Sequence, residues 1–257
     1  MKIKHLFDLT GRSALVTGGS RGLGRAMASA LASAGAEVVL ASRHEDELRA
    51  AAAALAAEAG VRVEWVVADL NRRDDVTHLI DESLGRLGKI DILVNNAGTN
   101  LPQPIDAVRD DDWDRIVQLN LTSCMALTRG LVPGMKARRW GRVIHISSVM
   151  ALGSKEGRSA YSATKSALLG LARAAALELG PFGITVNCIA PGPFATELPL
   201  QLLSPEEQAK FAERTALGRW GQPEELAGPV LLLASDAGSF ITGSVLVVDG
   251  GILCRVF

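Results

Sequence analysis

Tyrosine occurs once in the 257 residues, and all aromatic residues together make up only 4% of the chain. A core with so few rings has to come from aliphatic packing, and with 48% hydrophobic residues there is enough material for a large one. Cysteine is equally sparse: Cys124, Cys188 and Cys254 are odd in number and widely spaced. They form neither a disulfide framework nor a metal-ligand pattern, and the apolar surroundings of Cys124 and Cys188 point to buried reduced thiols. His5, His44, His78 and His145 form no cluster, and His145, in the middle of an apolar run, reads as a core residue. Charge of one sign is missing too. A net charge of −1 gives no electrostatic case for nucleic acid or an anionic membrane. No window approaches the ~20 apolar residues of a membrane span, and the N-terminus lacks the apolar run of a signal peptide. A soluble cytoplasmic protein is the expectation.

The stretch 142–179 carries the chemistry. It reads as a strand ending in Ser147 and Ser148, a loop with two glycines, and a long helix that opens with Tyr161-Ser162-Ala163-Thr164-Lys165. Residues four apart in a helix share a face, so the only tyrosine stands beside a lysine. A free phenol ionises near ~10 and is a poor base at neutral pH, but a neighbouring ammonium favours its anion. Such a pair suits proton transfer to or from an alcohol oxygen, and a serine hydroxyl opposite could hold that oxygen. Both Ser147 and Ser148 are placed to serve.

Upstream, the apolar run 13–17 leads into Gly18-Gly19-Ser20-Arg21-Gly22-Leu23-Gly24 and a helix over 25–34. Strand, glycine turn and helix start make an anion site, because glycine lets the backbone approach a diphosphate and the helix offers free N–H groups. The next strand, 37–43, bears on the cofactor. In dinucleotide folds an acid at its end binds the ribose 2′-OH, whereas a nearby arginine accommodates a 2′-phosphate. Ser42 holds the acidic place with Arg43 beside it, and Arg21 is a second cation in reach. That pattern favours NADP(H), with NAD(H) as the second choice. Glu45, Asp46 and Glu47 read as first-turn acids that complement a helix dipole.

Further strands are expected over 62–68, 91–94, 184–190 and 244–248, alternating with helices over about 46–59, within 110–134 and over 224–234. Seven strands joined by connections too long for hairpins imply a doubly wound, Rossmann-type parallel sheet with helices on both faces. No second domain is apparent. Residues 197–221 lose the sheet rhythm and read as a substrate lid, with Ser204-Pro205-Glu206-Glu207 starting a helix. Met150, Leu152, Phe194 and Leu198 are expected at an apolar mouth, where Lys155 and Arg158 could meet an acid.

Ser148, then Tyr161 thirteen residues on, then Lys165, resembles the catalytic set of the short-chain dehydrogenase/reductase family, whose spacing selects Ser148 over Ser147. Thr17, Gly18, Gly22 and Gly24 resemble its T-G-x-x-x-G-x-G, and Asn95-Asn96-Ala97-Gly98 its N-N-A-G. Pro191-Gly192-Pro193-Phe194-Ala195-Thr196 resembles its P-G-x-x-x-T. The resemblance spans about residues 9–251. It implies Tyr161 as acid/base, Lys165 as its tuner and a ribose ligand, Ser148 as substrate holder and Asn120 as part of a proton relay. It also implies cofactor contacts from Ser20, Leu23, Asp69, Leu70, Asn96, Ala97, Gly98, Pro191, Gly192 and Thr196, and a homotetramer. The substrate expected is a 3-oxoacyl thioester or a sugar or keto acid, with an NAD(H)-dependent polyol or steroid-type dehydrogenase as the alternative. A non-catalytic dinucleotide-binding protein would be expected to lack one of Ser148, Tyr161 and Lys165, and none is missing. Enoyl reductases of the family space their tyrosine and lysine differently.

Overall fold

The structure is a computed structural model that describes residues 3–197 and 203–254. The apolar runs become strands β1 Ser13–Thr17, β2 Glu37–Ser42, β3 Val63–Val67, β4 Ile92–Asn95, β5 Gly141–Ile146, β6 Ile184–Pro191 and β7 Val245–Val248. All pair in parallel, in the order β3-β2-β1-β4-β5-β6-β7. A parallel sheet covered on both faces buries both sides of its strands, so these read as continuous apolar runs. Accordingly β1, β4, β5 and β6 are buried along their whole length, while the edge strands β3 and β7 are partly exposed.

Helices α1 Gly22–Ser33, α2 Glu45–Ala59, α3 Arg73–Leu87, α4 Asp110–Val117, α5 Ser123–Arg138, α6 Ser159–Leu179, α7 Pro205–Arg214 and α8 Ala227–Ala234 follow the strands. Two aliphatic layers result. Val16, Leu31, Leu48, Ile144 and Val230 pack beneath α1, α2 and α8. Leu15, Leu79, Leu127, Val143 and Leu168 pack beneath α3, α5 and α6. None of the described helices is long and apolar enough to cross a membrane.

Local detail adds to the expected pattern and departs from it in places. α1 starts at Gly22 rather than Arg25, so Gly22 and Gly24 lie inside its first turn. Residues 110–138 run without a break, because α4 passes through a π-helical turn, Gln118–Thr122, into α5. On α4, Trp113 is 38% exposed, whereas Ile116 is buried. Phe194 does not line a mouth. It is buried and bridges to Gly221, where a Cβ would lie 2.9 Å from its ring.

That bridge pins the base of the expected lid. Ala195 N–H donates to Gly221 O at 2.8 Å, and Gly221 N–H donates to Pro193 O at 3.0 Å. The chain therefore leaves and re-enters at one point. Helix α7 opens on a capping box in which Ser204 Oγ accepts from Glu207 N–H at 3.2 Å and the Glu207 carboxylate accepts from Ser204 N–H at 2.9 Å. Leu198, Leu200 and Leu202 lie outside the described residues, as do residues 255–257 of the apolar tail.

Candidate active site

Strand order reverses between β1 and β4, and ligands of open α/β sheets bind in the crevice beyond the strand ends at such a point. A cavity of about 490 Å³ opens there. It is lined by Gly18, Ser20, Arg21, Gly22, Leu23 and Gly24 of the glycine turn, by Ser42 at the end of β2 and by Arg43 just beyond it. Asp69 and Leu70 after β3, Asn96, Ala97 and Gly98 after β4, and Thr196 complete the expected set. Pro191 and Gly192 stand off this cavity at the end of β6, where a Cβ on Gly192 would lie 2.7 Å from Asp249 Cα.

The crevice is stitched by residues at its floor. Asn96 Nδ2 donates to Thr17 O at 2.8 Å and to Gly18 O at 3.2 Å. The Thr17 hydroxyl accepts from the N–H groups of Asn96 and Ala97, each at 3.0 Å. Gly18 has φ +63, and a Cβ on Gly24 would collide with Gly18 O and Asn96 Nδ2. Alanine in a helix gains about 1 kcal/mol over glycine, but overpacking a fixed backbone costs up to about 3 kcal/mol. Gly24→Ala is therefore expected to lower the thermal midpoint and weaken dinucleotide binding together. Calorimetric melting with a nucleotide titration checks this; a raised midpoint would show that the turn can give.

Of the four residues expected to carry catalysis, Asn120 and Lys165 meet beside Gly98, with Tyr161 next to Lys165. A Cβ on Gly98 would lie 3.2 Å from Asn120 Oδ1 and 3.4 Å from Lys165 Nζ. Lys165 is 4% exposed, and its ammonium has one hydrogen-bond acceptor among the described residues, Ile146 O at 2.7 Å. Three donors with one acceptor leave two N–H groups for a ligand. Nζ stands 5.6 Å from the Tyr161 ring centre, and the tyrosine hydroxyl has no hydrogen-bond partner among the described residues. Asn120, held in the π-helical turn, clamps the next loop: its Oδ1 accepts from Thr99 N–H and its Nδ2 donates to Thr99 O, both at 2.9 Å. Nδ2 also donates to Thr164 Oγ1 at 3.2 Å, and that hydroxyl donates to Tyr161 O at 2.9 Å.

The two serines separate by partner. Ser147 Oγ donates to Lys165 O at 2.8 Å, which anchors the helix to β5. Ser148 Oγ accepts from Met150 N–H at 3.1 Å and keeps its proton free to donate. No direct Ser148–Tyr161 hydrogen bond occurs among the described residues.

Burial sets the ionisation below the site. It raises the Cys124 thiol to about 11 and the Cys188 thiol to about 12, so neither offers a thiolate. Burial, with the Lys165 ammonium nearby, pushes His145 down to about 4. His145 Nδ1 lies 3.0 Å from Asn95 Nδ2 on the adjacent strand. An unfolded histidine titrates near ~6.5, so between that value and about 4 the unfolded chain binds the extra proton. The contribution is full above the upper value and is lost as pH falls toward the lower one. Lowering pH from about 7 to 5 should cost roughly 2 kcal/mol through this residue. His145→Gln should flatten that part of the urea-midpoint profile, and an unchanged slope would place the sensitivity elsewhere.

At Asp69 burial penalises the charged form, but the Asn71 donors at 3.1 and 2.8 Å, with Arg43 and Arg115, outweigh it. They hold the carboxyl below the usual range. Reading the sequence missed Arg115 and Glu47, which also line the cavity. Arg115 arrives from α4, and no local pattern marks it. Glu47 lies in the first turn of α2, where dipole chemistry alone accounts for an acid. A wider groove of about 740 Å³ lies between α1 and α8, lined by Arg25, Ser29, Ser33, Glu58 and Leu231. It shares only Gly22, Thr196 and Glu197 with the crevice and lacks Gly98, which adjoins Asn120 and Lys165, so the crevice is the candidate site.

A family model described as Enoyl-(Acyl carrier protein) reductase matches residues 18–253. The chain belongs to the short-chain dehydrogenase/reductase family. Among similar members of this oxidoreductase family, 3-oxoacyl-[acyl-carrier-protein] reductase of Aquifex aeolicus is 38% identical over 243 residues, covering 95% of this chain and 98% of that one. Gluconate 5-dehydrogenase of Gluconobacter oxydans is 39% identical over 253 residues, covering 98% of each. A solved gluconate 5-dehydrogenase of Burkholderia cenocepacia, in complex with NADP and tartrate, superposes with a TM-score of 0.93 at 37% identity. The match covers 99% of this chain and 100% of that one. As a short-chain dehydrogenase/reductase the protein is an oxidoreductase on a Rossmann-like sheet.

Proposed function

We propose that the protein interconverts a secondary alcohol and a ketone with NADP(H), on a 3-oxoacyl thioester or a sugar or keto acid. The observation that carries this reading is the Tyr161 hydroxyl, without a partner among the described residues, near the buried ammonium of Lys165, which has one acceptor among them. The four-residue spacing of that pair supports carbonyl rather than enoyl reduction.

The crevice fits a dinucleotide. Its glycine turn would close if a Cβ stood at Gly24, and Lys165 keeps two free donors. Backbone N–H groups at the start of α1 would hold the diphosphate, Asn96, Ala97 and Gly98 would flank a ribose, and Asp69 and Leu70 the adenine. Pro191, Gly192 and Thr196 would flank the nicotinamide. Ser42, Arg43 and Arg21 would hold the 2′-phosphate. The nicotinamide supplies or accepts the hydride. The protein's residues handle the proton: in reduction the Tyr161 hydroxyl donates to the nascent alkoxide, and in oxidation it takes the alcohol proton. Ser148 donates a hydrogen bond to the substrate oxygen, Lys165 would turn its remaining N–H groups to the ribose, and Asn120 holds the Thr99 loop and the catalytic helix in register.

The segment from Glu197 to Gly221 serves as the substrate lid, supported by its pinned base and by Lys155 standing 5.4 Å from the Phe211 ring of α7. A homotetramer is the assembly this reading includes. Exposed Phe240, Val247 and Leu253 around β7 are apolar surface that further copies could cover, and light scattering tests it. Screening purified protein with NADPH against 3-oxoacyl thioesters and keto acids tests the reaction itself; failure across both classes would refute the substrate assignment.

A further inference from the structure

A carboxylate sits where the 2′-phosphate of NADP(H) is expected. Ser20, only 8% exposed, donates its hydroxyl to Glu47 Oε2 at 3.1 Å. Arg21 Nη1 stands 3.7 Å from Glu47 Oε1, with side-chain exposures of 59% and 39%. Glu47 lines the same cavity as Ser42, Arg43 and His44. Arg43 has no ion-pair partner among the described residues. Of the two guanidinium groups expected to meet the phosphate, Arg43 acts on Asp69 only at longer range, whereas Arg21 is engaged by Glu47.

We infer that Glu47 is a specificity-determining residue, a clasp on Ser20 and Arg21 that a 2′-phosphate must displace. This inference rests on the NADP(H) reading of the crevice. The physics is a competition for donors. A phosphate monoester brings more than one negative charge to a rim already holding a carboxylate, and like charges at short range repel. To reach Arg21 it must break an ion pair and the Ser20 hydrogen bond. The neutral 2′-hydroxyl of NAD(H) meets no such repulsion and can itself donate to a carboxylate. Glu47 therefore narrows the advantage that Arg43 and Arg21 confer on the phosphorylated cofactor. An acid at the end of β2 would block the phosphate outright; in the first turn of α2, and half-exposed, it restrains without excluding.

Equilibrium binding of NADPH and NADH to the intact protein, by calorimetry without substrate, tests this apart from turnover. Glu47→Gln keeps the side-chain shape and removes the charge. It should raise the ratio Kd(NADH)/Kd(NADPH) by about tenfold, or ~1.4 kcal/mol, with most of the change on NADPH. Added salt should shrink that gain, since the site is partly exposed. Glu45→Gln removes the same charge from the same helix turn at an exposed position and should change the ratio less than about twofold. An unchanged or lowered ratio in Glu47→Gln, equal weakening of both cofactors, or an equal effect from Glu45→Gln would each overturn the clasp. The unmodified protein tests the underlying reading separately. A preference for NADH there would refute NADP(H) choice, while a raised ratio in Glu47→Gln would still uphold the role of Glu47.

Discussion

Tyr161→Phe is expected to fold, to bind NADPH with nearly unchanged affinity, and to lose at least about 100-fold in kcat, the lower range for a general acid/base. Only the hydroxyl is removed, and that hydroxyl holds no other group in place among the described residues. The ring remains beside Lys165, so packing of the helix start should persist. Single-turnover kinetics with saturating cofactor separate a lost proton transfer from a lost substrate. Turnover within a few-fold of the unmodified enzyme would remove the tyrosine from the chemistry. Loss of NADPH affinity in step with turnover would make it a binding residue instead.

Cofactor choice gives the second large effect. Hydrogen bonds between guanidinium and phosphate are worth roughly 1.5–3 kcal/mol each, and exposure at the rim favours the lower figure. Arg43 alone then implies about tenfold preference for NADP(H), and Arg43 with Arg21 about 100-fold. The clasp of Glu47 on Arg21 places the expected value between these. Ser42→Asp combined with Arg43→Leu should reverse the order, because a carboxylate at the end of β2 accepts the ribose hydroxyls of NAD and repels the 2′-phosphate. Ratios of kcat/KM for NADPH and NADH in both proteins decide it. Equal use of the two cofactors, or an NADH preference before any substitution, would mean that Ser42 and Arg43 do not read the phosphate.

The sheet was legible because parallel strands buried on both faces must be nearly all apolar. Residues 184–190 could hardly be anything else, and the observed strand runs only to Pro191. The edge strand β7 is partly exposed, and its start moved from Ser244 to Val245. The glycine turn was legible as a cradle, although its last two glycines proved to be the first turn of α1. Tyr161 and Lys165 could be paired because helical spacing alone brings them to one face. What stayed hidden depends on residues far apart in the chain. The π-helical turn that holds Asn120 is set by its clamp on Thr99, twenty-one residues away. Phe194 looked like a mouth residue until Gly221 came to lie against its ring. Glu47 looked like a helix-dipole acid because nothing local shows that the glycine turn folds back onto α2. The substrate is hidden for the same reason: on the proposed reading its pocket would be assembled from loops after several strands and from the segment proposed as a lid.

The most direct measurement is reduction by NADPH across a panel of 3-oxoacyl thioesters and sugar-derived or simple keto acids, read by nicotinamide absorbance and by identifying the alcohol formed. At least one member should give one alcohol per NADPH oxidised, and the same reaction should fall at least about 100-fold in Tyr161→Phe. Tight NADPH binding with no ketone reduced anywhere in the panel, or reduction that persists in Tyr161→Phe, would contradict carbonyl chemistry at this site.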